Sequence, residues 1–330
     1  MEKEKVCLRK VPVEEAVGLV LGHDMTRIVP GEYKGPAFRR GHVIRPEDIP
    51  VLLSMGKEHI YVLEIPPGMV HEEEAAVRVA RAIAGPGLTA TEPREGRVDL
   101  RAAHPGLLRV DTERLLRINS VGEVQVATRL DRTPVAAGET VAGTRVTPLL
   151  VEEEQIQTVE ALAASGPVLQ VLPFRPLRAA IVVTGSEVYK GRIQDRFGPV
   201  VRQKVEALGG QVISVAIADD RPEMVAERIR EALAAGAELV LCTGGMSVDP
   251  DDATPAGIRL AGARIVTYGA PVLPGSMFLM AYIGPVPVMG LPGAVMHAPR
   301  TLFDLVLPRV MAGEVLTKAD FVALGHGGLL

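Results

Sequence analysis

The chain has 330 residues and 47% apolar content, enough for about two domains with full cores, so wholesale disorder is excluded. Lys and Arg number 36 against 40 Asp and Glu, for a net charge of −4, and aromatics are only 3% with no Trp. That excludes a nucleic-acid reader built on a basic phosphate track or on base stacking.

In chain order, the basic start is interrupted by Glu14 and Glu15, so no signal-peptide core is expected. The spacing of Val13, Val17, Val20 and Leu21 predicts a helix over 12–21. Pro46, followed by Glu47 and Asp48, predicts a second helix start, closed by Gly56, and 59–63 reads as a strand. A helix is predicted over 72–84, ended by Gly85 and Pro86. Residues 97–148 read as short strands and turns, with a helix over 111–118 and a strand over 123–130. Another helix is expected over 152–164, then an exposed linker over 166–176 with three prolines.

After this point the pattern becomes strand–helix alternation. Strands are predicted over 179–183, 212–218, 238–242, 278–283 and 286–290. Helices are predicted over 199–208, 222–235, 255–260 and 295–311. The reading is an α/β fold: residues 1–175 form an α+β, partly β-rich region of one or two subdomains. Residues 176–330 form a doubly wound, mostly parallel three-layer sheet domain. Between Arg264 and Arg300 there is no Asp, Glu, Lys or Arg, but Pro271, Pro274, Pro285, Pro287 and Pro292 break the run, so no membrane span is expected. Cys7 and Cys242 make neither a disulfide scaffold nor a cysteine zinc site, which fits a reducing, cytoplasmic setting.

Ligands of such sheets bind beyond the carboxyl ends of the strands, and the candidate loops lie there. Thr184-Gly185-Ser186-Glu187 follows the first strand. Thr243-Gly244-Gly245-Met246-Ser247-Val248-Asp249-Pro250-Asp251-Asp252 follows the third. Leu291-Pro292-Gly293 opens the last helix, and Pro274-Gly275-Ser276 precedes a strand. Glycines let backbone N–H groups approach an anion, the hydroxyls add donors, and helix starts add partial positive charge. Asp249, Asp251 and Asp252 suit a hard cation beside a phosphate, or simply a capped, solvated loop. Elsewhere His71 is read as the start of a helix with an acidic first turn, and Cys242 as a buried strand residue. Ser186 has no neighbouring His to form a triad. Lys34 to His42 is either a solvated basic turn or an anion-contacting arm.

Residues 179–312 resemble the molybdopterin-binding domain of molybdopterin adenylyltransferases and MoeA-type molybdopterin molybdenumtransferases. Thr184–Glu187 is similar to the family's T-G-[DSN]-E turn, and Thr243–Asp252 to its glycine loop ending in Asp. Pro274-Gly275 and Leu291–Gly293 fall where it has P-G and L-P-G-N-P. A preceding region with a segment at 41–62 is similar to the MoeA type, whose S-x-M-D-G-Y-A signature and C-terminal β-domain are lacking. Leu273 and Ser276 stand in place of its lysines, Ala294-Val295 in place of Asn-Pro, and Asp249 in place of a Gly.

The resemblance implies a ligand, molybdopterin or its adenylylated form, held by Thr184, Gly185, Ser186, Thr243, Gly244, Gly245, Ser247, Asp249, Pro274, Gly275, Ser276, Pro292 and Gly293. It implies Asp252 and Glu187 as catalytic groups, Asp252 holding Mg2+, with molybdate inserted into the pterin. Two classes of function stay open: a transferase of molybdenum cofactor biosynthesis, or a non-catalytic carrier or sensor serving a molybdoenzyme. A related domain acting on another nucleotide or pterin is a third. A homo-oligomer, taken as a dimer, is expected, with no nucleic acid and no membrane partner.

Overall fold

The computed structural model describes residues 8–29, 33–94, 96–147, 149–246 and 253–330. They fall into two compact units. The first holds the chain up to Ala103 with Arg109–Asp131 and Ala137–Gln170. The second holds His104–Leu108, Arg132–Ala136 and Val171–Leu330.

In the first unit, strands Leu8–Pro12, His59–Leu63 and Val20–Leu21 form a small antiparallel sheet with His59–Leu63 at its centre. Its core joins Val11, Val13, Leu21, Ile60 and Val62 to Ile44 and to Leu52 of the helix Asp48–Ser54. The helix predicted over 12–21 is absent: the stretch holds the 3-10 turn Val13–Glu15 and the strand Val20–Leu21. Val13 is buried, but Val17 is 46% exposed and Gly18 has φ +82°, so the apolar residues never align on one helical face.

A four-stranded antiparallel sheet follows, in the order Val124–Thr128, Thr140–Val146, Arg97–Ala102, Leu88–Ala90. Val98, Leu100 and Ala102 point inward, and Arg97, Asp99 and Arg101 alternate with them on the other face. The helix Glu72–Ile83 packs on this sheet through Ala75, Ala76, Val79, Ala80 and Ile83, a single apolar stripe. Arg78, on the same helix, forks onto Glu153 and Glu160 of the helix Glu153–Ala163 at 2.8–2.9 Å.

The second unit is the α/β domain. Its elements are β1 (Arg178–Thr184), α1 (Ser186–Tyr189), α2 (Phe197–Ala207), β2 (Gln211–Ala218), α3 (Pro222–Ala234), β3 (Leu239–Thr243), α4 (Thr254–Leu260) and β4 (Arg264–Tyr268). They continue with β5 (Leu279–Ile283), β6 (Val286–Leu291), α5 (Ala294–His297), α6 (Leu302–Met311) and α7 (Lys318–Val322). The six strands run in the order β2-β1-β3-β6-β5-β4. The first four are parallel, and β5 runs antiparallel to both of its neighbours, β6 and β4. Because both faces are covered, the central strands are apolar throughout. Ala179, Ile181, Val183, Leu239 and Leu241 meet α2 and α6 through Val201, Val205, Phe303, Val306 and Leu307. Ala180, Val182, Val240 and Cys242 meet α3 and α4 through Val225, Ile229 and Ile258. This is a three-layer α/β fold.

Three further expectations are corrected. Residues 166–176 are not an exposed linker, since Leu169–Pro173 is a strand with Leu169 and Val171 buried. The helix predicted over 295–311 is two helices, α5 and α6, because Thr301 starts a new one. Strand β4 and helix α7 were not among the predicted elements. Among the described residues, no helix is long and apolar enough to cross a membrane.

Candidate functional site

The sheet order positions a cleft. The chain leaves β1 for β2 on one side and returns to β3 on the other, so the direction of winding reverses between β1 and β3. At such a switch the following loops diverge and open a crevice beyond the carboxyl ends of the two strands. A cavity of about 580 Å³ lies there, with Val183 and Thr184 from β1 and Thr243 and Gly244 from β3 in its wall. Val188, Phe197 and Met296 supply apolar walls, and Gln194, Asp195 and Arg196 a polar rim. The size suits a small-molecule ligand.

Three threonines organise the floor. Thr184 Oγ1 donates to the Thr243 carbonyl at 2.8 Å, and Thr254 Oγ1 donates to the Gly244 carbonyl at 2.9 Å. The two hydroxyls also approach each other at 2.9 Å, so two protons serve three contacts. Thr243 differs: its Oγ1 is buried and, among the described residues, has no hydrogen-bond partner. A buried hydroxyl without a partner costs free energy unless something outside the chain completes it.

The glycine turn beside it leaves no room for side chains. Gly244 has φ +82°, and a Cβ there would collide with the Thr184 carbonyl. Gly245 has φ +51°, and its Cβ would sit 3.0 Å from Thr254 Oγ1. The turn therefore needs glycine twice, for backbone conformation and for space. Among the described residues, no acceptor lies within hydrogen-bond range of the Gly245 N–H.

Comparison with known proteins gives two stretches. Residues 10–64 match a family described as "Domain of unknown function (DUF8806)", and residues 180–312 one described as "Probable molybdopterin binding domain". Residues 180–312 of the α/β unit are thus similar to a molybdopterin-binding family. A CinA-like protein from Mycobacterium sp. (strain MCS) is 38% identical over 90 residues, 27% of this chain and 21% of its own length. The chain therefore spans about a fifth of the length of the curated relatives it matches. The molybdopterin biosynthesis enzyme MoaB from Thermus thermophilus is 22% identical with a TM-score of 0.35, over 42% of this chain and 98% of that one. A molybdopterin biosynthesis moea protein from Pyrococcus horikosii is 15% identical with a TM-score of 0.34, over 93% and 75%.

Within the α/β unit the expected residues have different fates. Thr184, Thr243 and Gly244 line the cleft, and Gly245 follows in the same turn. Gly185, at φ +145°, turns the chain out of β1 into α1. Ser186 lies beside the cleft but is already engaged: its hydroxyl donates to Asp219 at 2.6 Å and its N–H to Asp220 at 2.7 Å. The Ser186 hydroxyl holds the Asp219 carboxyl below its ordinary range, with burial opposing and the Asp220 N–H, Lys190 and Arg221 assisting. Glu187 is exposed and absent from the cleft wall. Ser247, Asp249, Asp251 and Asp252 lie outside the described residues.

Pro274, Gly275 and Ser276 are brought elsewhere in the unit. The Pro274 carbonyl faces the Leu302 N–H at 3.4 Å, and the Ser276 carbonyl accepts from Ala270 at 2.9 Å. Pro292 is buried and Gly293 exposed at the start of α5, which carries Met296 to the cleft wall.

The structure adds residues the sequence reasoning missed. Asp195 accepts from the N–H groups of Phe197 and Gly198 at 2.8 and 3.1 Å, closing the start of α2. Gly198 is required there, because a Cβ would collide with that carboxylate. Asp219 and Asp220 follow β2 directly, and two acids at a strand end before Pro222 were a readable signal. The remaining candidates stay structural. His71 caps its helix, accepting from Glu73 N–H at 3.3 Å, and burial lowers its pKa against a raising contact with the Gly41 carbonyl. Burial pushes the Cys242 thiol up to about 12, which keeps it an inert core residue. Among the described residues, no group of three His, Cys, Asp or Glu forms a metal donor set.

Proposed function

We propose that this protein binds a pterin phosphate, molybdopterin or its adenylylated form, in the cleft between the ends of β1 and β3, as part of molybdenum cofactor biosynthesis. The observation that carries the proposal is the Thr243 hydroxyl, buried in the cleft wall and, among the described residues, unpartnered, beside a turn that demands glycine. An incoming phosphate or pterin oxygen would complete that hydroxyl and accept from the Gly245 N–H. The match of residues 180–312 to a molybdopterin-binding family supports the pterin as ligand class.

A carrier or sensor and an insertase are the two readings of this cleft. Among the described residues, Asp195 is the one carboxylate in the cleft wall and is spent on the start of α2, and Glu187 is exposed. The insertase reading places Mg2+ and molybdate with Asp252 and rests on the sequence resemblance alone. The two readings part in one experiment. Titrate the full chain with molybdopterin, with and without Mg2+, comparing Gly245→Val and Asp252→Asn. A carrier loses binding in Gly245→Val and keeps it, independent of Mg2+, in Asp252→Asn. An insertase loses Mg2+-dependent binding or turnover by more than tenfold in Asp252→Asn. Equal affinity of Gly245→Val and parent refutes the site. Tighter binding of a free nucleotide than of the pterin replaces the pterin by another phosphorylated ligand.

A further inference from the structure

The first unit contains a second cavity with a different chemistry. On the four-stranded antiparallel sheet, Arg97, Asp99 and Arg101 stand on the outward face of one strand. Arg145 on the neighbouring strand is registered directly opposite Arg97. With Arg94 and Glu92 from the preceding loop they line a hollow of about 470 Å³. Four guanidiniums face two carboxylates there, in a chain whose overall charge is −4. Only Arg97 has its charge answered at close range, by Asp99 at 2.8 Å. Among the described residues, the guanidiniums of Arg94, Arg101 and Arg145 have no hydrogen-bond or ion-pair partner.

This arrangement runs against sheet stability. Like charges directly opposite on paired strands repel, and here Arg97 and Arg145 are such a pair. Gly143, opposite Asp99, preserves the geometry: a Cβ there would stand 3.1 Å from the Asp99 carboxylate and 3.7 Å from Arg97 Nε. The pair lies across the space a side chain would fill, and Asp99 holds the Arg97 fork in one orientation.

We infer that this hollow is an anion site for a small phosphate, separate from the cleft of the α/β domain. Guanidiniums carry planar donor forks that match phosphate oxygens two at a time. The wall contains no aromatic ring, so it lacks the platform that single-stranded nucleic acid requires. A second hollow of about 600 Å³ meets it at Glu92 and Arg94, which line both, and adds Arg39, Arg40 and Arg45 together with Glu72 and Glu73. The basic segment 34–42, read from sequence as a solvated turn or an anion-contacting arm, ends there. A phosphate in the first hollow has room to carry an organic group into the second.

The test uses the full chain with inorganic pyrophosphate as probe, followed by calorimetry and by thermal unfolding at low salt. The expected result is saturable binding and an upward Tm shift, since a ligand that binds only the folded state stabilises it. Arg101→Gln and Arg145→Gln should each weaken binding at least tenfold. Arg117→Gln, which removes an equal charge from an exposed helix of the same unit, should not. Arg145→Gln should also raise the Tm of the ligand-free protein while abolishing the pyrophosphate shift, an opposition that a merely structural arginine would not produce. The inference is overturned if the parent fails to bind pyrophosphate at millimolar concentration. It is equally overturned if both arginine variants bind like the parent, if Thr243→Val alone removes binding, or if only a long polyanion binds. Failure of the pterin reading would leave these outcomes unchanged, because the two sites share no residue.

Discussion

Thr243 and Thr184 end adjacent parallel strands with the same side chain, yet their hydroxyls do different work. The Thr184 hydroxyl ties the ends of β1 and β3 together through the Thr243 carbonyl. Thr184→Val should therefore destabilise the fold by about 1–3 kcal/mol, the cost of leaving a buried acceptor unpaired. Thr243→Val removes no internal hydrogen bond, so its unfolding midpoint in urea should move by less than about 1 kcal/mol. Its affinity for a pterin phosphate should fall at least tenfold, about 1.4 kcal/mol. A Thr243→Val protein that binds like the parent would remove the main support for the cleft. The residue types of this site were legible in the sequence, because glycines and threonines at strand ends announce a close backbone approach. What the sequence could not disclose is which hydroxyls are already spent. Ser186 and Thr243 look alike on paper. Only the fold delivers Asp219 and Asp220 to Ser186 from a different strand end, while the Thr243 hydroxyl has no partner among the described residues.

Helices α6 and α7 are joined by charge as well as by packing. Arg309 is 3% exposed and donates to Glu314 at 2.7 Å and to Asp320 at 2.5 Å. Burial, the largest single influence on Asp320, raises its carboxyl. The Thr317 N–H, Arg309 and the Thr317 hydroxyl together outweigh it and hold the group at about 2. The folded value lies below the ordinary 3.8, so the ionised pair contributes stability above about pH 3.8. That contribution is lost as pH falls from there through about 2. Asp320→Asn should accordingly flatten the pH dependence of urea unfolding between about pH 4 and 2. Arg309→Met should cost about 1–3 kcal/mol at pH 7, since it leaves the partly buried Glu314 and Asp320 to the longer contacts of Arg132. The two capping boxes here, Thr301 with Asp304 and Thr317 with Asp320, are sequence signals at three-residue spacing. They mark both the break in the helix predicted over 295–311 and the unpredicted α7. Strands β1, β3, β5 and β6 were legible to within a residue or two, because strands covered on both faces read as continuous apolar runs, and the edge strand β2 was legible from its own apolar run although Val215 and Ile217 are exposed. Strand β4 was not, since an edge strand with two exposed ends and a bulge carries neither an apolar run nor clean alternation. Residues 12–21 misled for the opposite reason, an apolar spacing that the φ of Gly18 breaks.

At the scale of the whole molecule, the α/β unit is not a single continuous piece of chain. It includes His104–Leu108 and Arg132–Ala136, which lie well before β1 in sequence. These segments pair with each other, Pro134 against Leu107 and Val135 against Gly106. Gly106 also packs so closely on Leu172 that a Cβ would collide with its carbonyl. Arg132 brings a second guanidinium to Glu314 and Asp320, at 3.7 and 3.9 Å. A fragment cut near residue 171 keeps the six-stranded sheet and both of its cores. It loses the two early segments and the second cation. The sheet with its helices should therefore fold alone, because nearly all its buried apolar area lies within Val171–Leu330. Its Tm should fall by several degrees relative to the full chain, since a domain of this size loses roughly 2–4 °C per kcal/mol. The measurement is a cooperative thermal transition by near-UV circular dichroism, with dye binding to detect exposed apolar surface. A broad, non-cooperative melt with strong dye binding would mean that the early segments are part of the folding unit itself, and the domain boundary would then have to move upstream of His104.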